Sequence, residues 1–114
     1  MKHFLITTAL TLSLMPSAYA ASIDSGKALV EKNNCGSCHG PDLKSPIAPN
    51  YPKIAGQHKD YLFYALKSYQ VENNKQVGRA NAIMASQAKQ FNLDQLKDMA
   101  AYIASMPGDF VVKK

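Results

Sequence analysis

Apolar residues recur at helical spacing in three parts of the chain, and no segment shows the alternation that is typical of a strand. The spacing predicts helices over residues 22–33 and 59–72 and a third helix that begins after Asn92 and ends before Pro107. Asn92 and Gln95 form a variant of the capping box that starts a helix. Apolar residues occupy the i, i+3, i+4 and i+7 positions of this third helix: Leu96, Met99, Ala100 and Ile103. The pattern therefore predicts an all-α fold.

Two segments without helical periodicity separate the predicted helices. Residues 40–56 contain four prolines, which prevent a regular helix from running through them. Residues 73–80 are mostly polar and include a glycine. We expect both segments to be loops, so that about three main helices and their loops form a single domain.

The first twenty residues have the pattern of a secretory signal peptide. A short basic start precedes an apolar run over residues 4–15, which is too short to span a bilayer. The run is followed by Ala18-Tyr19-Ala20, the small-x-small pattern of a signal-peptidase site. We therefore expect residues 1–20 to be cleaved, leaving a mature domain over residues 21–114. An uncleaved anchor or a first core helix is the alternative.

Charge and hydropathy exclude two classes of partner. Cleavage would remove Lys2 and lower the formal net charge from +5 to +4. This mild excess suits an acidic protein partner, although it is also common on soluble domains. There is no run of basic residues and no mixture of arginines with aromatic residues, so we expect no nucleic-acid binding. No second long apolar segment is present, so we expect no stable membrane insertion after cleavage.

The mature domain is small, with 94 of the 114 residues. A domain of this size buries a modest core and often depends on a disulfide, a metal or a cofactor. The two cysteines allow at most one internal disulfide. An apolar cofactor would supply the buried surface that the chain itself lacks.

The most specific chemical signal is the run Cys35-Gly36-Ser37-Cys38-His39. Two cysteines three positions apart at a helix end can reach the two vinyl groups on one edge of a haem, and the next residue then lies beneath the iron. The run therefore predicts one covalently attached haem c. Cys35 and Cys38 would form the thioether bonds, and His39 would be an iron ligand.

Three other interpretations of the two cysteines are weaker. A thioredoxin-like redox motif needs a strand before it, and no strand is predicted there. A zinc site needs two further ligands, and His58 is the only other histidine of the mature chain. A plain disulfide would leave the adjacent His39 without a role. The haem interpretation gives a role to both cysteines and to the adjacent His39.

Four segments together resemble the class I c-type cytochromes, in particular one half of the bacterial dihaem high-potential cytochromes. They are residues 26–40 with the haem motif, the loop and helix start at 51–62, the segment at 79–84, and the final helix at 99–104. They occur in the family's order, and the resemblance extends over the whole mature chain. The resemblance implies a small all-α cytochrome c fold wrapped around haem, in the bacterial periplasm. Since only one haem motif is present, we expect one haem.

The sixth iron ligand separates an electron carrier from a gas-binding haem protein, because a methionine sulfur fills that position and favours iron(II). Met99 belongs to the apolar stripe of the last helix, and Met106 lies at its end beside Pro107. Met84 lies between the polar loop and the last helix, and the resemblance also points to it. We therefore expect His39 and Met84 to ligate the iron. His58 is a weaker candidate, because a lone histidine at a helix start is more often a surface residue.

The resemblance implies roles for residues around the haem. Pro52 matches the proline whose carbonyl oxygen accepts the second N–H of the ligating histidine. Gly26 and Tyr102 match the site where the first and last helices cross. Arg79 is expected either to meet a haem propionate or to be solvated in its loop. Apart from the resemblance, we expect Lys53, Lys59 or Lys75 to lie near the haem edge and to guide acidic partners.

The expected function is the transfer of single electrons between periplasmic redox proteins with acidic docking surfaces, and no enzyme activity is expected. A haem c subunit of a larger periplasmic oxidoreductase is the alternative, since its haem-site residues would be the same. A gas-binding haem protein would require a vacant sixth position. The protein is expected to be a monomer or a subunit of a redox complex.

Overall fold

The computed structural model describes residues 18–71, 76 and 78–109. This part of the chain contains five helices and no strand. The helices are α1 (Ile23–Lys32), α2 (Gly36–His39), α3 (Lys59–Tyr69), α4 (Ala82–Ala88) and α5 (Leu93–Ser105). The expected all-α fold is confirmed, and the three predicted main helices correspond to α1, α3 and α5.

Side-chain caps fix where the long helices begin. The hydroxyl of Ser22 accepts the N–H of Ser25 at 3.2 Å and starts α1. At α5 the side chain of Asn92 accepts the N–H of Gln95, and the side chain of Gln95 accepts the N–H of Asn92, both at 2.9 Å. The predicted capping box is therefore present. Helix α3 ends at Tyr69, earlier than predicted, with Gln70 as its C-cap.

Helix α4 lies where the apolar pattern predicts no helix. It starts at Asn81, whose side chain accepts the N–H of Met84 at 2.9 Å. Its seven residues complete about two turns, which is too short for a helical periodicity to stand out in the sequence. Its last residue, Ala88, is buried. Contacts with the rest of the molecule therefore define this helix more than its own sequence does.

Helices α1 and α5 cross at Gly26. A Cβ atom built on Gly26 would overlap the backbone carbonyl of Asp98 and lie 2.9 Å from the Cβ of Tyr102. Only glycine lets the two helix backbones approach this closely. The crossing that the resemblance implies at Gly26 and Tyr102 is therefore confirmed.

The core forms where these helices meet the loop over residues 40–56. Leu96 and Ala100 of α5 have no exposed surface. The buried apolar cluster consists of Val30, Leu43, Ala55, Leu62, Leu96, Met99, Ala100 and Ile103. Leu43 and Ala55 come from the loop, so the proline-rich loop is part of the core.

Backbone hydrogen bonds hold the second half of this loop in place. The carbonyl of Leu43 accepts the N–H groups of Ile54 and Ala55 at 2.8 and 3.0 Å. The N–H of Gly56 donates to the carbonyl of Ile103 in α5 at 3.0 Å. The segment that follows Pro52 is therefore fixed both to the loop itself and to the last helix.

A buried carboxylate joins the start of the described chain to α5. Asp98 is 4% exposed and accepts hydrogen bonds from the hydroxyl of Tyr19 and the N–H of Ser22, both at 2.7 Å. The two donors offset the cost of removing the charge from water. Residues 1–17 of the predicted signal peptide lie outside the described residues, so its cleavage stays a prediction. Among the described helices, none is long and apolar enough to cross a membrane.

Candidate haem site

The haem motif lies at the turn from α1 into the single-turn helix α2. Asn34 adopts a φ of 53°, which turns the chain after α1. The carbonyl of Cys35 then accepts the N–H of His39 at 3.1 Å, so the motif forms one helical turn. Residues three and four positions apart are neighbours on such a turn. The fold therefore brings Cys35, Cys38 and His39 together on one short element.

The two cysteines are free thiols and half-buried. Burial raises the pKa of the Cys35 thiol, so this group is neutral at neutral pH. Cysteines that exchange disulfides have the opposite property, a lowered pKa that supplies the reactive thiolate. The environment of Cys35 therefore does not favour the thioredoxin-like interpretation. No disulfide joins the two sulfurs.

The imidazole of His39 is buried and hydrogen-bonded to the loop. Its Nδ1 lies 2.8 Å from the carbonyl oxygen of Pro52. A carbonyl oxygen only accepts hydrogen bonds, so Nδ1 must carry the proton. The lone pair is then on Nε2, the nitrogen that remains for a metal. The loop thus sets both the tautomer and the orientation of the His39 ring.

The three methionines of the described chain have different surroundings. Met99 is 3% exposed inside the buried cluster, and Met106 packs against that cluster. Met84 is half-buried on α4 and does not belong to the cluster. Met99 and Met106 therefore already serve the core, and Met84 is the thioether that is left for another role.

The arrangement fits a covalently bound haem. Two sulfurs that are not joined to each other and an imidazole with a free Nε2 are the donor set that a haem c requires. A free metal ion has no comparable site, since the described residues contain no group of three His, Cys, Asp or Glu side chains that could hold one. His58, the other histidine of the predicted mature chain, is exposed at the start of α3.

Arg79 contacts two tyrosines of α3. Its Nη2 donates to the hydroxyl of Tyr61 at 3.1 Å. The guanidinium carbon lies 5.5 Å from the ring centroid of Tyr61 and 5.6 Å from that of Tyr69, within the range of a cation–π contact. Neither expectation for Arg79 anticipates these contacts, which join the segment before α4 to α3.

Two lysines of the loop over residues 40–56 form ion pairs with one carboxylate. The Nζ of Lys53 lies 2.9 Å from Asp109 and that of Lys44 lies 3.8 Å from it. Lys53 also lowers the pKa of Asp109. The charge of Lys53 is therefore partly balanced within the chain, whereas Lys59 is exposed at the first residue of α3. Lys75 lies outside the described residues.

Fold and site together define a small all-helical haem protein, and comparison with known proteins gives its family. The family model "Cytochrome c" matches residues 23–107. The chain belongs to the cytochrome c family. A cytochrome c domain binds haem c covalently, and with a single domain and a single motif this chain binds one.

Its relatives include cytochromes of about twice its length. It is 37% identical to cytochrome c4 of Azotobacter vinelandii over 112 residues, which cover 92% of this chain and 51% of the relative. It is 39% identical to cytochrome c4 of Pseudomonas aeruginosa over 105 residues, or 92% and 49% of the two chains. The chain thus spans about half the length of the curated relatives it matches.

A solved structure supports the same relationship. The crystal structure of reduced recombinant cytochrome c4 from Pseudomonas stutzeri is similar with a TM-score of 0.67 and 33% identity. The alignment covers 79% of this chain and 48% of that one. The resemblance to one half of the dihaem cytochromes is therefore confirmed.

Three residues join distant parts of the fold and were not identified from the sequence: Gln70, Asp98 and Asp109. The side-chain amide of Gln70, at the end of α3, donates to the carbonyls of Ala88 and Phe91, and no sequence pattern indicates these contacts. Asp98 lies beside the apolar stripe and not on it, so the helical periodicity does not mark this carboxylate as buried. Asp109 follows the last helix and pairs with Lys53 from the loop, a contact that depends on the fold.

Proposed function

We propose that this protein is a periplasmic carrier of single electrons with His39 and Met84 as the axial ligands of its haem iron. The observation that carries the proposal is the hydrogen bond from His39 Nδ1 to the Pro52 carbonyl, next to two free, half-buried thiols. When bound, the haem supplies a one-electron couple between iron(III) and iron(II).

Each residue has a separate task in this proposal. Cys35 and Cys38 hold the cofactor by thioether bonds, so that it is not lost between encounters. His39 presents Nε2 in a fixed orientation, because Pro52 holds the proton on Nδ1. Met84 completes the coordination with a neutral sulfur, which favours iron(II) and excludes small gaseous ligands.

The partners are proposed to be redox proteins with acidic docking surfaces. The formal net charge of +5, or +4 after the proposed cleavage, attracts an acidic partner at long range. Asp109 balances part of the charge of Lys53. We therefore propose that Lys59 contributes more than Lys53 to the electrostatic attraction of an acidic partner. The association rate of the protein with an acidic partner should fall as the salt concentration rises, because such charges are screened within about 10 Å at ~0.1 M ionic strength.

Periplasmic location rests on the signal-peptide pattern, with cleavage proposed after Ala20. The mature chain, residues 21–114, would act as a monomer or as a subunit of a redox complex. Purification from native cells distinguishes these two states: a free carrier is recovered alone, and a subunit is recovered with its oxidoreductase.

Ligand binding to the reduced protein tests the carrier proposal. A site in which both axial positions are occupied should bind carbon monoxide poorly at neutral pH. Met84→Ala should bind it readily and lower the reduction potential, because the ligand that favours iron(II) is gone. Met99→Leu, which replaces a buried core methionine by an apolar side chain of similar volume, should do neither. Rapid and stoichiometric binding by the unmodified protein would contradict the proposal and favour a gas-binding role.

A further inference from the structure

We propose that Gln70 is a positioning residue for Met84: its side-chain amide holds the C-terminal end of α4 and thereby keeps the methionine sulfur at the iron. The inference rests on the proposed function, in which Met84 is an iron ligand. It concerns a residue at the end of a different helix, fourteen positions before Met84 in the sequence.

The contact uses both hydrogens of one amide group. Nε2 of Gln70 donates to the carbonyl of Ala88 at 2.8 Å and to the carbonyl of Phe91 at 2.7 Å. Ala88 is the last residue of α4, and the carbonyl groups at a helix end have no partner within the helix. Gln70, the C-cap of α3, thus joins the end of α3 to the end of α4 and to the turn after it.

Helix α4 needs such support because it is short. It has seven residues, and isolated helices shorter than ~12–15 residues are marginal in water. Its start is capped locally by Asn81 and is linked to α3 by the hydrogen bond from the Arg79 N–H to the Ser68 carbonyl at 3.0 Å. The Gln70 amide provides the corresponding link at the other end.

Met84 and Ala88 are four positions apart, so they lie on the same face of α4. Ala88 is buried and Met84 is half-buried, whereas Ile83 and Gln87 are exposed. Gln70 therefore holds the backbone of α4 at Ala88, one helical turn after Met84 and on the residue that shares its face. If the end of α4 loosens, Met84 moves with it, because one helical turn separates the two residues.

Replacing Gln70 by glutamate tests this link with a side chain of the same shape. The carboxylate would have no N–H to donate at neutral pH and would place a negative charge beside two carbonyl oxygens. We expect Gln70→Glu to raise the population in which sulfur has left the iron by about tenfold, from the loss of two hydrogen bonds. Carbon monoxide binding to the reduced protein should accelerate by the same factor.

The matched control is Gln90→Glu, which makes the same chemical change on an exposed side chain whose amide contacts Gln87 at 3.3 Å. It should leave carbon monoxide binding unchanged. Gln70→Ala provides a second variant without the added charge and should show the same direction of change. In both Gln70 variants the weak red absorption band of sulfur bound to iron(III) should disappear at a lower temperature than global unfolding measured by circular dichroism.

A general loss of stability would behave differently, because the band and the circular dichroism signal would then fall together. That coincidence, or unchanged ligand binding in both Gln70 variants, would overturn the inference. The proposed function is checked separately by Met84→Ala. If the unmodified protein has the sulfur band and Met84→Ala removes it, Met84 is the ligand, and the Gln70 variants then test only the role of Gln70. If Met84→Ala leaves the band intact, the assignment of Met84 as an iron ligand is wrong. The inference about Gln70 is then wrong as well, because it depends on that assignment.

Discussion

His39 Nδ1 and the carbonyl oxygen of Pro52 are 2.8 Å apart, and this contact decides which nitrogen of the imidazole can reach a metal. The carbonyl belongs to a loop segment that is itself held by Leu43 and Ile103. A hydrogen bond of this kind also raises the basicity of the ligating nitrogen. With His39 as the proposed iron ligand, the loop would influence the electronic properties of the iron as well as the orientation of the imidazole.

Loosening this loop should raise the reduction potential. Pro52→Gly retains a carbonyl at position 52 but increases the freedom of the backbone around it. A weaker hydrogen bond makes His39 a less basic ligand, which disfavours iron(III). We expect a higher potential in potentiometric titration and faster exchange of the Nδ1 proton in NMR spectra.

Pro49→Gly is the matched control for this change, because Pro49 lies exposed in the same loop. It should leave both the potential and the proton exchange close to those of the unmodified protein. Equal effects from the two substitutions would show that loop flexibility in general, and not the His39 contact, controls the potential.

Gly26→Ala should destabilise the protein even though it lies within a helix. In an exposed helix the same change stabilises by about 1 kcal/mol. Here the added methyl group would overlap the carbonyl of Asp98, and overpacking of this kind costs roughly 1–3 kcal/mol. Chemical denaturation should therefore give a lower free energy of unfolding. Ser25→Ala on the exposed side of α1 is the control and should change the free energy little; a stabilising Gly26→Ala would show that α1 and α5 do not approach this closely.

The sequence predicts those parts of the molecule that depend on residues close to one another along the chain. The capping box of Asn92 and Gln95 and the apolar stripe that follows it contain all the information needed for α5. The haem motif is likewise local, since Cys35 and His39 share a single helical turn. Such features depend on spacing along the chain and can be recognised without knowing the fold.

Features that depend on distant contacts were not predictable in the same way. Helix α4 is too short for its own periodicity, and its end is held by Gln70 from the end of another helix. The burial of Asp98 depends on the N–H of Ser22, which is 76 positions away. Arg79 is exposed in its loop, and its contacts with Tyr61 and Tyr69 depend on how that loop lies against α3. Tertiary packing determines each of these.

Asp98→Ala should destabilise the mature protein by roughly 1–3 kcal/mol, because the N–H of Ser22 would lose its buried acceptor. The proposed cleavage removes Tyr19, so the Ser22 contact is the one that remains. Thermal unfolding of residues 21–114 measures the effect. Asp94→Ala, an exposed acidic residue of the same helix, should cost less; equal losses would mean that Asp98 contributes only as a surface charge.

Acid should weaken the loop that begins at Gly40. The pKa of Asp42 is lowered from its ordinary value of 3.8, first because its carboxylate accepts the N–H of Lys44 and then because it accepts the Ser45 hydroxyl. A lowered pKa in the folded state means that the stabilisation is present above the ordinary value and is lost as the pH falls through the folded one. The free energy of unfolding should therefore decline below pH 3.8 less steeply in Asp42→Asn than in the unmodified protein. Identical pH profiles would contradict this role for Asp42.

The mass of the denatured protein is the most direct test of the haem attachment proposed for Cys35 and Cys38. Protein secreted to the periplasm and treated with acidified acetone should retain its haem, because two thioether bonds survive denaturation. Its mass should equal that of residues 21–114 plus one haem, and the variant with both Cys35→Ser and Cys38→Ser should retain none. Release of the haem from the unmodified chain by the solvent, or retention of covalent haem by the double variant, would contradict the assignment.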